Sequence, residues 1–386
     1  DGSGYGLILN GSGSIDNVKD FVAMEIKMSA GDSQFPFSNQ VWRLQNIAGT
    51  AFDSDIYNPE TTLLWSEQYD VDILKVAQMG NSFEWYGDND VRLLFDRKYE
   101  KCVNNIFYKP PILDEYDLLL FDDDRPRNGL KELYQEAKKL GILTIGNRHG
   151  NVDFKEKELR DHLNICWDKL FLFGDKGYNI HSRSGVGSNE NFLIGGIPSN
   201  DNLKKYERTD KHILIIVNFL GNRTAPFKRF DKETFDKLGL VELQNEFNKK
   251  VVIKLKSRQD HPFPKRDFEY VEKILPNNLD YEIVMDVDDD NKLISDSFIV
   301  FSAPSVMAFK PIQKGIPTIL LNGYGQTGLF YDYTGLVNLD TQIIFDEIQR
   351  QYTNGKEKEF VLNTIKGGID FSSTEKYVNV IKGLIV

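Results

Sequence analysis

Two kinds of residue in this chain can do chemistry. The first is a lone histidine, His149, set between Arg148 and Gly150 directly after the apolar run at residues 142–145. An imidazole titrates near neutrality and can take a proton from a hydroxyl group. The adjacent glycine lets a ligand approach the backbone closely. Asp153 stands near enough in sequence to orient that ring or to act as the base itself. A loop histidine bonded to backbone is the plainer alternative. The second kind is a set of cations and hydroxyls that also follow apolar runs. Arg223 and Thr224 come after residues 212–218, and Lys254, Lys256 and Arg258 close the run at 250–255, with His261-Pro262 just beyond. Ser302 and Ser305 follow residues 297–301. Guanidinium groups grip phosphate through paired N–H donors, and serine hydroxyls with helix N–H groups cradle it. Together these residues suit the monophosphate or diphosphate of a nucleotide, although any one of them is also ordinary surface at a strand end.

Elements of a recognisable kind must hold these residues in place. Residues 116–121 (YDLLLF) form a short unbroken apolar run, as in a strand buried on both faces. Residues 129–140 then have helical periodicity, with Leu130, Leu133, Ala137 and Leu140 expected on one face and Gly141 as the cap. The next strand is expected at 142–145, which completes a βαβ unit and implies a parallel sheet. Further strands are expected at 168–173 and 191–194. Residues 200–211 are polar and read as a linker. A second series follows, with strands at 212–218, 250–255, 281–285, 297–301 and 318–321 and helices at 235–248 and 267–275. The expectation is therefore α/β, with two Rossmann-like domains facing each other across a cleft, divided into residues 1–205 and 206–386. The first 110 residues are irregular and suggest an insertion or an altered topology; Gly11-Ser12-Gly13-Ser14 reads as a tight turn or a weak phosphate cradle. In open parallel sheets ligands sit at the carboxyl ends of the strands, where the residues above lie.

Composition narrows the class. The chain has 386 residues and a net charge of −11, with 40% hydrophobic and 12% aromatic residues, enough for packed cores and unlike a disordered chain. The acidic balance disfavours nucleic acid as a partner. The two cysteines, Cys102 and Cys166, suit a reducing compartment better than a disulfide scaffold. No apolar run approaches the roughly 20 residues of a membrane span, and there is no signal-peptide pattern. The opening Asp1-Gly2-Ser3-Gly4, without methionine, reads as a processed or excised piece of a longer chain. Asp122-Asp123-Asp124 and Asp288-Asp289-Asp290 read as solvated strand ends or helix starts, and no metal site is expected. Gly323-Tyr-Gly-Gln326-Thr-Gly328 reads either as a loop closing on a ligand or as a plain glycine-rich connection.

From about residue 112 to 345 the chain resembles the GT-B-type superfamily. That group includes CDP-glycerol glycerophosphotransferases, capsule polysaccharide transferases and UDP-N-acetylglucosamine 2-epimerases. Arg148-His149-Gly150-Asn151 resembles the Gln-His-Gly segment of the first domain. Phe192 to Pro198 with Asp201 resembles the strand, Gly-x-Pro and Asp leading into the second. Val252 to Lys256 resembles the strand that usually reads Ile-Lys-x-His-Pro, although Lys256-Ser257 stand where His-Pro would follow. Ser295 to Ser305, followed by Gly315-Ile-Pro317, resembles the "SD…SS…G-x-P" segment, with the serine pair split.

The resemblance implies a metal-independent glycosyltransferase with a nucleotide-activated sugar as substrate and no cofactor. Sialyl- and Kdo transferases of this fold bind CMP through a His-Pro and a Ser-Ser element, so the donor implied is a CMP-sugar such as CMP-Kdo. His261, Ser302 and Ser305 would then hold the nucleotide. Arg223, Lys254, Lys256 and Arg258 would meet the departing phosphate, and Gln326 would lie on the donor side. The implied acceptor is a glycan or lipid-linked glycan of a bacterial surface polysaccharide, in a capsule or lipopolysaccharide. His149 or Asp153 would deprotonate it. Asp231 would serve only if a carboxylate faces the anomeric carbon and the reaction retains configuration. The expected location is cytoplasmic, at or near the inner face of the membrane. Three alternatives stay open: a CDP-polyol phosphotransferase, a UDP-sugar epimerase and a non-catalytic nucleotide-sugar-binding domain.

Overall fold

The computed structural model describes residues 72–74, 105–107, 113, 116–121, 130–148, 167–185, 187–217, 231–255, 264–285, 290–321, 328–337 and 356–385. The turn at Gly11, both cysteines and the aspartates at 122–124 lie outside them. Two short strands, β1 (Asp72–Leu74) and β2 (Asn105–Phe107), pair in parallel.

The apolar runs of the first series become a four-stranded parallel sheet. Its strands are β3 (Leu118–Phe121), β4 (Leu143–Asn147), β5 (Lys169–Leu172) and β6 (Phe192–Ile194), in that order. Helix α1 (Leu130–Leu140) joins β3 to β4, and Gly141 ends it at φ 74°. Of the face expected to be apolar, Ala137 is buried and Leu140 is instead 48% exposed, while Tyr134 is buried beside Ala137. Tyr134 turns its ring edge-on to Trp167, with centroids 5.3 Å apart. Helix α2 (Asp175–Ser184) joins β5 to β6.

The second series forms a six-stranded parallel sheet from β7 (His212–Ile216), β8 (Lys250–Lys254), β9 (Tyr281–Val284), β10 (Ser297–Ser302), β11 (Thr318–Leu321) and β12 (Leu336–Val337). Their spatial order is β12-β11-β10-β7-β8-β9, the doubly wound arrangement that turns back on itself between β7 and β10. Side chains alternate in direction along each strand. Ile213, Ile215, Val251, Ile253, Ile299 and Phe301 face helices α3 (Lys232–Lys237), α4 (Leu240–Phe247) and α5 (Pro264–Ile274). Leu214, Ile216, Val252 and Val300 face Leu203 and Ile294, the latter on α6 (Asp290–Ser295). The single helix expected at 235–248 is two helices, because Gly239 takes φ 58° between them.

The amino-terminal ends of β7 and β10 are bound together. The amide of Lys211 donates to the carbonyl of Asp296 (2.7 Å), and that of Thr209 to Ser295 (3.2 Å). The Asp296 carboxylate accepts from Thr209 Oγ1 (2.6 Å), Lys211 Nζ (3.1 Å) and Lys292 Nζ (2.6 Å). Just inside them, Ser297 Oγ lies 3.1 Å from Nε2 of buried His212.

Residues 198–205 differ from the linker expected there. They form a 3-10 helical segment whose Pro198, Asn200, Asp201 and Leu203 are buried. Its task is to receive the end of the chain. Helix α9 (Ser373–Ile385) packs against the first sheet, with Tyr377, Val378 and Ile381 on Ile145 and Phe171. So residues 373–385, which the sequence groups with the second series, complete the first. The Asp201 carboxylate caps α9 by accepting from the amides of Ser373 (3.1 Å) and Thr374 (2.7 Å). The Tyr377 ring stacks on Phe171 with centroids 3.7 Å apart, and its hydroxyl donates to Asn147 Oδ1 (2.5 Å). A Cβ on Gly195 would stand 2.6 Å from the Tyr377 ring and 2.7 Å from that of Phe171, so only glycine admits the helix there. Among the described residues no helix is long and apolar enough to cross a membrane.

Two predictions follow from these contacts. Replacing Asp201 by Ala strands two amides at the start of α9 and should lower unfolding free energy by about 1–2 kcal/mol in urea titration. Asn, which retains one acceptor, should lower it by less. Burial opposes ionisation of Asp296, but hydrogen bonds from Lys292, Thr209 and Lys211 outweigh it and hold the carboxyl down at about 2. Its pKa is depressed on folding, so its stabilisation is present above the unfolded value of 3.8 and fades as pH falls toward about 2. Asp296→Asn should therefore lower stability at pH 7 by about 1 kcal/mol, after solvent screening, and by little at pH 2. Equal losses at both pH values would contradict this.

Candidate functional site

Strand register builds the site. Lys254 of β8 pairs with Ile216 of β7, and Ile216 pairs with Ser302 of β10. The three residues therefore form one row across adjacent strands at their carboxyl ends. In a parallel sheet, residues in one row point to the same face, here the face covered by Leu203 and Ile294. Lys254 and Ser302 stand two strands apart, roughly 10 Å, on either side of β7. The reversal of strand order falls between β7 and β10, so the row spans the position where such sheets open a crevice.

Each member has its own surroundings. Lys254 is buried, at 6% exposure, at the end of a strand whose three preceding residues are buried and apolar. Its ammonium lies 3.3 Å from Oδ1 of Asp290 and 3.4 Å from the carbonyl of Leu255. Asp290 opens α6, as the sequence suggested, but its carboxylate reaches the row rather than bulk solvent alone. Its Oδ1 is close to the ammonium yet makes no aligned hydrogen bond. Ser302 is fully buried, and its hydroxyl donates to the carbonyl of Ala303 (2.9 Å). Ser305 heads a 3-10 turn (Val306–Ala308) that runs into α7 (Phe309–Gln313). Its hydroxyl is buried and has no hydrogen-bond partner among the described residues. A buried hydroxyl left unpaired costs about 1–3 kcal/mol, so this group is set to receive a partner.

A second set of contacts involves residues 330–332. The ring of Phe330, in a 3-10 turn (Gly328–Phe330), stacks on Phe309 of α7 at 4.4 Å. The next two residues reach the first sheet's α2. The ammonium of Lys176 pairs with Asp332 and lies 4.1 Å from the Tyr331 ring centre and 4.7 Å from that of Phe360. Phe360 belongs to α8 (Lys356–Thr364). Burial pulls Lys176 below the ordinary lysine value, against the raising influence of Asp332. Phe173 and Ile197 share one apolar cluster with Phe309, Phe330 and Phe360, which carries packing from the first sheet to the second.

Of the residues singled out by sequence, Lys254, Ser302 and Ser305 come to the same edge. Asp231 has a different employment: its Oδ1 caps α3, accepting from the amide and hydroxyl of Thr234, both at 2.9 Å. His149, Asp153, Arg223, Lys256, Arg258, His261 and Gln326 lie outside the described residues. Arg148, just before His149, is buried at the end of β4, its amide bonded to the carbonyl of Phe171 (3.0 Å). Asp290 is the participant that sequence reading passed over. It stands 36 positions from Lys254 inside an acidic run, and no periodicity links the two. Among the described residues no group of three His, Cys, Asp or Glu converges as metal ligands would.

No protein-family model and no curated protein sequence matches this chain. Solved structures do. A candidate UDP-N-acetylglucosamine 2-epimerase from Listeria monocytogenes superposes with a TM-score of 0.55 at 11% identity, covering 89% of this chain and 94% of its own. The UDP-GlcNAc 2-epimerase from Neisseria meningitidis bound to UDP-GlcNAc gives 0.50 at 13% identity, covering 85% and 97%. The wall teichoic acid polymerase TagF gives 0.48 at 13% identity, covering 90% and 93%. At such identities the likeness speaks to the fold, and the α/β architecture of GT-B type expected from the sequence is the one found.

Proposed function

We propose that this protein is a GT-B-type transferase that binds a nucleotide-activated donor at the carboxyl ends of β7, β8 and β10. One observation carries the reading: the register row puts Lys254 on one side of the strand reversal and Ser302 on the other, and three residues past Ser302 the buried Ser305 hydroxyl has no partner among the described residues. An ammonium supplies charge and a hydroxyl supplies direction, the two things a phosphate ester needs. The segment after β7 carries Arg223 and the segment after β8 carries Lys256, Arg258 and His261. These would add cations around the same phosphate as the donor bond breaks. Ser302 is the weaker ligand, because its hydroxyl is already directed to a backbone carbonyl. Asp231 has its cap to hold and is left out of this reading.

The donor we favour is a CMP-sugar, and the acceptor a glycan or glycolipid hydroxyl of a bacterial surface polysaccharide. His149, or Asp153 beside it, would take the acceptor proton as the new bond forms. Gln326 would contact the donor sugar. The nucleotide sugar is a substrate, and the reading calls for no resident cofactor.

A thermal-shift panel with CMP, CDP, UDP, GDP and ADP tests this. A nucleotide at 100 times its Kd should stabilise the fold by about 2.7 kcal/mol. Lys254→Met should weaken that nucleotide roughly 10- to 100-fold, and Ser305→Ala by several-fold. Stabilisation by CDP in preference to CMP would turn the reading toward polyol-phosphate transfer. If no nucleotide stabilises the folded protein, the reading is wrong.

A further inference from the structure

The carboxylate of Asp290 is out of place in a site that is to hold phosphate. It lies 3.3 Å from the buried Lys254 ammonium, and its side chain is 33% exposed, so a ligand at this edge would meet it. Resting on the donor-site reading above, we infer that Asp290 is a positioning residue that sets the anion affinity of this edge. It holds the ammonium at the end of β8 while the site is empty, and it repels a bound nucleotide in proportion to that ligand's charge.

The geometry gives this pair an unequal balance. Lys254 is buried on a central strand, with little freedom to move. Asp290 heads a six-residue helix at the rim and has solvent on one side. Its Oδ1 is near the ammonium without an aligned hydrogen bond, so the bond directions of the ammonium are not saturated by it. An arriving phosphate can therefore take up the same ammonium without first removing the carboxylate. Both anions then stand around one cation, and the Coulomb repulsion between them grows with the ligand's charge. The nucleoside monophosphate released from a CMP-sugar carries more charge on its phosphate than the diester from which it came. Asp290 thus disfavours the spent nucleotide more than the donor, which favours release of the leaving group after transfer.

Isothermal titration of wild type, Asp290→Asn and Asp290→Glu tests the inference. The ligands are inorganic phosphate, pyrophosphate, and the nucleoside monophosphate and diphosphate of whichever base the panel selects. Asp290→Asn should tighten the diphosphate roughly three- to tenfold and the monophosphate less, with the whole gain shrinking in 0.5 M salt. Asp290→Glu, which restores the charge, should return the Kd values toward wild type. The melting temperature of Asp290→Asn should fall slightly even as binding tightens. A purely structural carboxylate would instead lower both stability and affinity. The inference is overturned if wild type binds a nucleotide and Asp290→Asn binds it equally or more weakly, or if the gain does not grow with ligand charge. Failure of the donor-site reading looks different, because wild type would then bind no nucleotide at all.

Discussion

Everything at the candidate site depends on where the second sheet reverses its order. Strands β7, β8 and β9 are laid down in one direction, and the chain then returns to place β10 on the other side of β7. In open parallel sheets the connections on either side of such a reversal leave toward opposite faces, and ligands bind above the strand ends there. The amino-terminal ends of the same strands are closed. Asp296 gathers Thr209, Lys211 and Lys292 there, and Ser297 meets His212 beneath them. Hydrogen bonds and ion pairs thus tie the strand pair at one end, and beyond the other end Ser305 has a buried hydroxyl without a partner among the described residues. Parallel sheets covered on both faces are rigid, so groups at the open end are held in place before a ligand arrives.

The second constraint is the return of the chain to its first sheet. Helix α9 covers a face of that sheet which otherwise would expose Ile145, Phe171 and their neighbours. Gly195 admits the Tyr377 ring, Gly196 takes φ 83° beneath the carbonyl of Lys366, and Asp201 caps the helix. The Gly-Gly-Ile-Pro segment with its Asp, notable in the sequence as a motif, is therefore the seat of a helix. Buried polar contacts extend the same join. Asn200 donates to Gln313 (2.5 Å), and Gln313 donates to the carbonyl of Gly368 (3.1 Å). Through these, α7 beside Ser305 is packed to the segment that leads into α9.

These two features also separate structural aspartates from the one that meets the site. Asp201 and Asp231 both cap helices, and Asp296 ties strand ends. Each has backbone or side-chain donors on its oxygens. Asp290 differs in facing a buried ammonium at the open edge of the sheet. Residue type alone does not distinguish these four carboxylates; the donors around them do.

Local information was enough for much of the architecture. Short apolar runs of four to seven residues marked β3 to β11, because a strand buried on both faces admits little else. Gly141 marked the end of α1 for the same local reason, a left-handed turn. Lys254, Ser302 and Ser305 were legible as candidates because strand ends can be read from such runs. What the sequence could not decide was everything set by contacts distant along the chain. The break at Gly239, the exposed Leu140, the capping by Asp201 and the docking of α9 each depend on partners in other elements. Lys254 and Asp290 meet because β8 ends and the helix after β9 begins at one edge of the sheet, and strand order is a property of the assembled sheet. Sequence determined which residues end the strands; the tertiary fold decided which of those ends face one another.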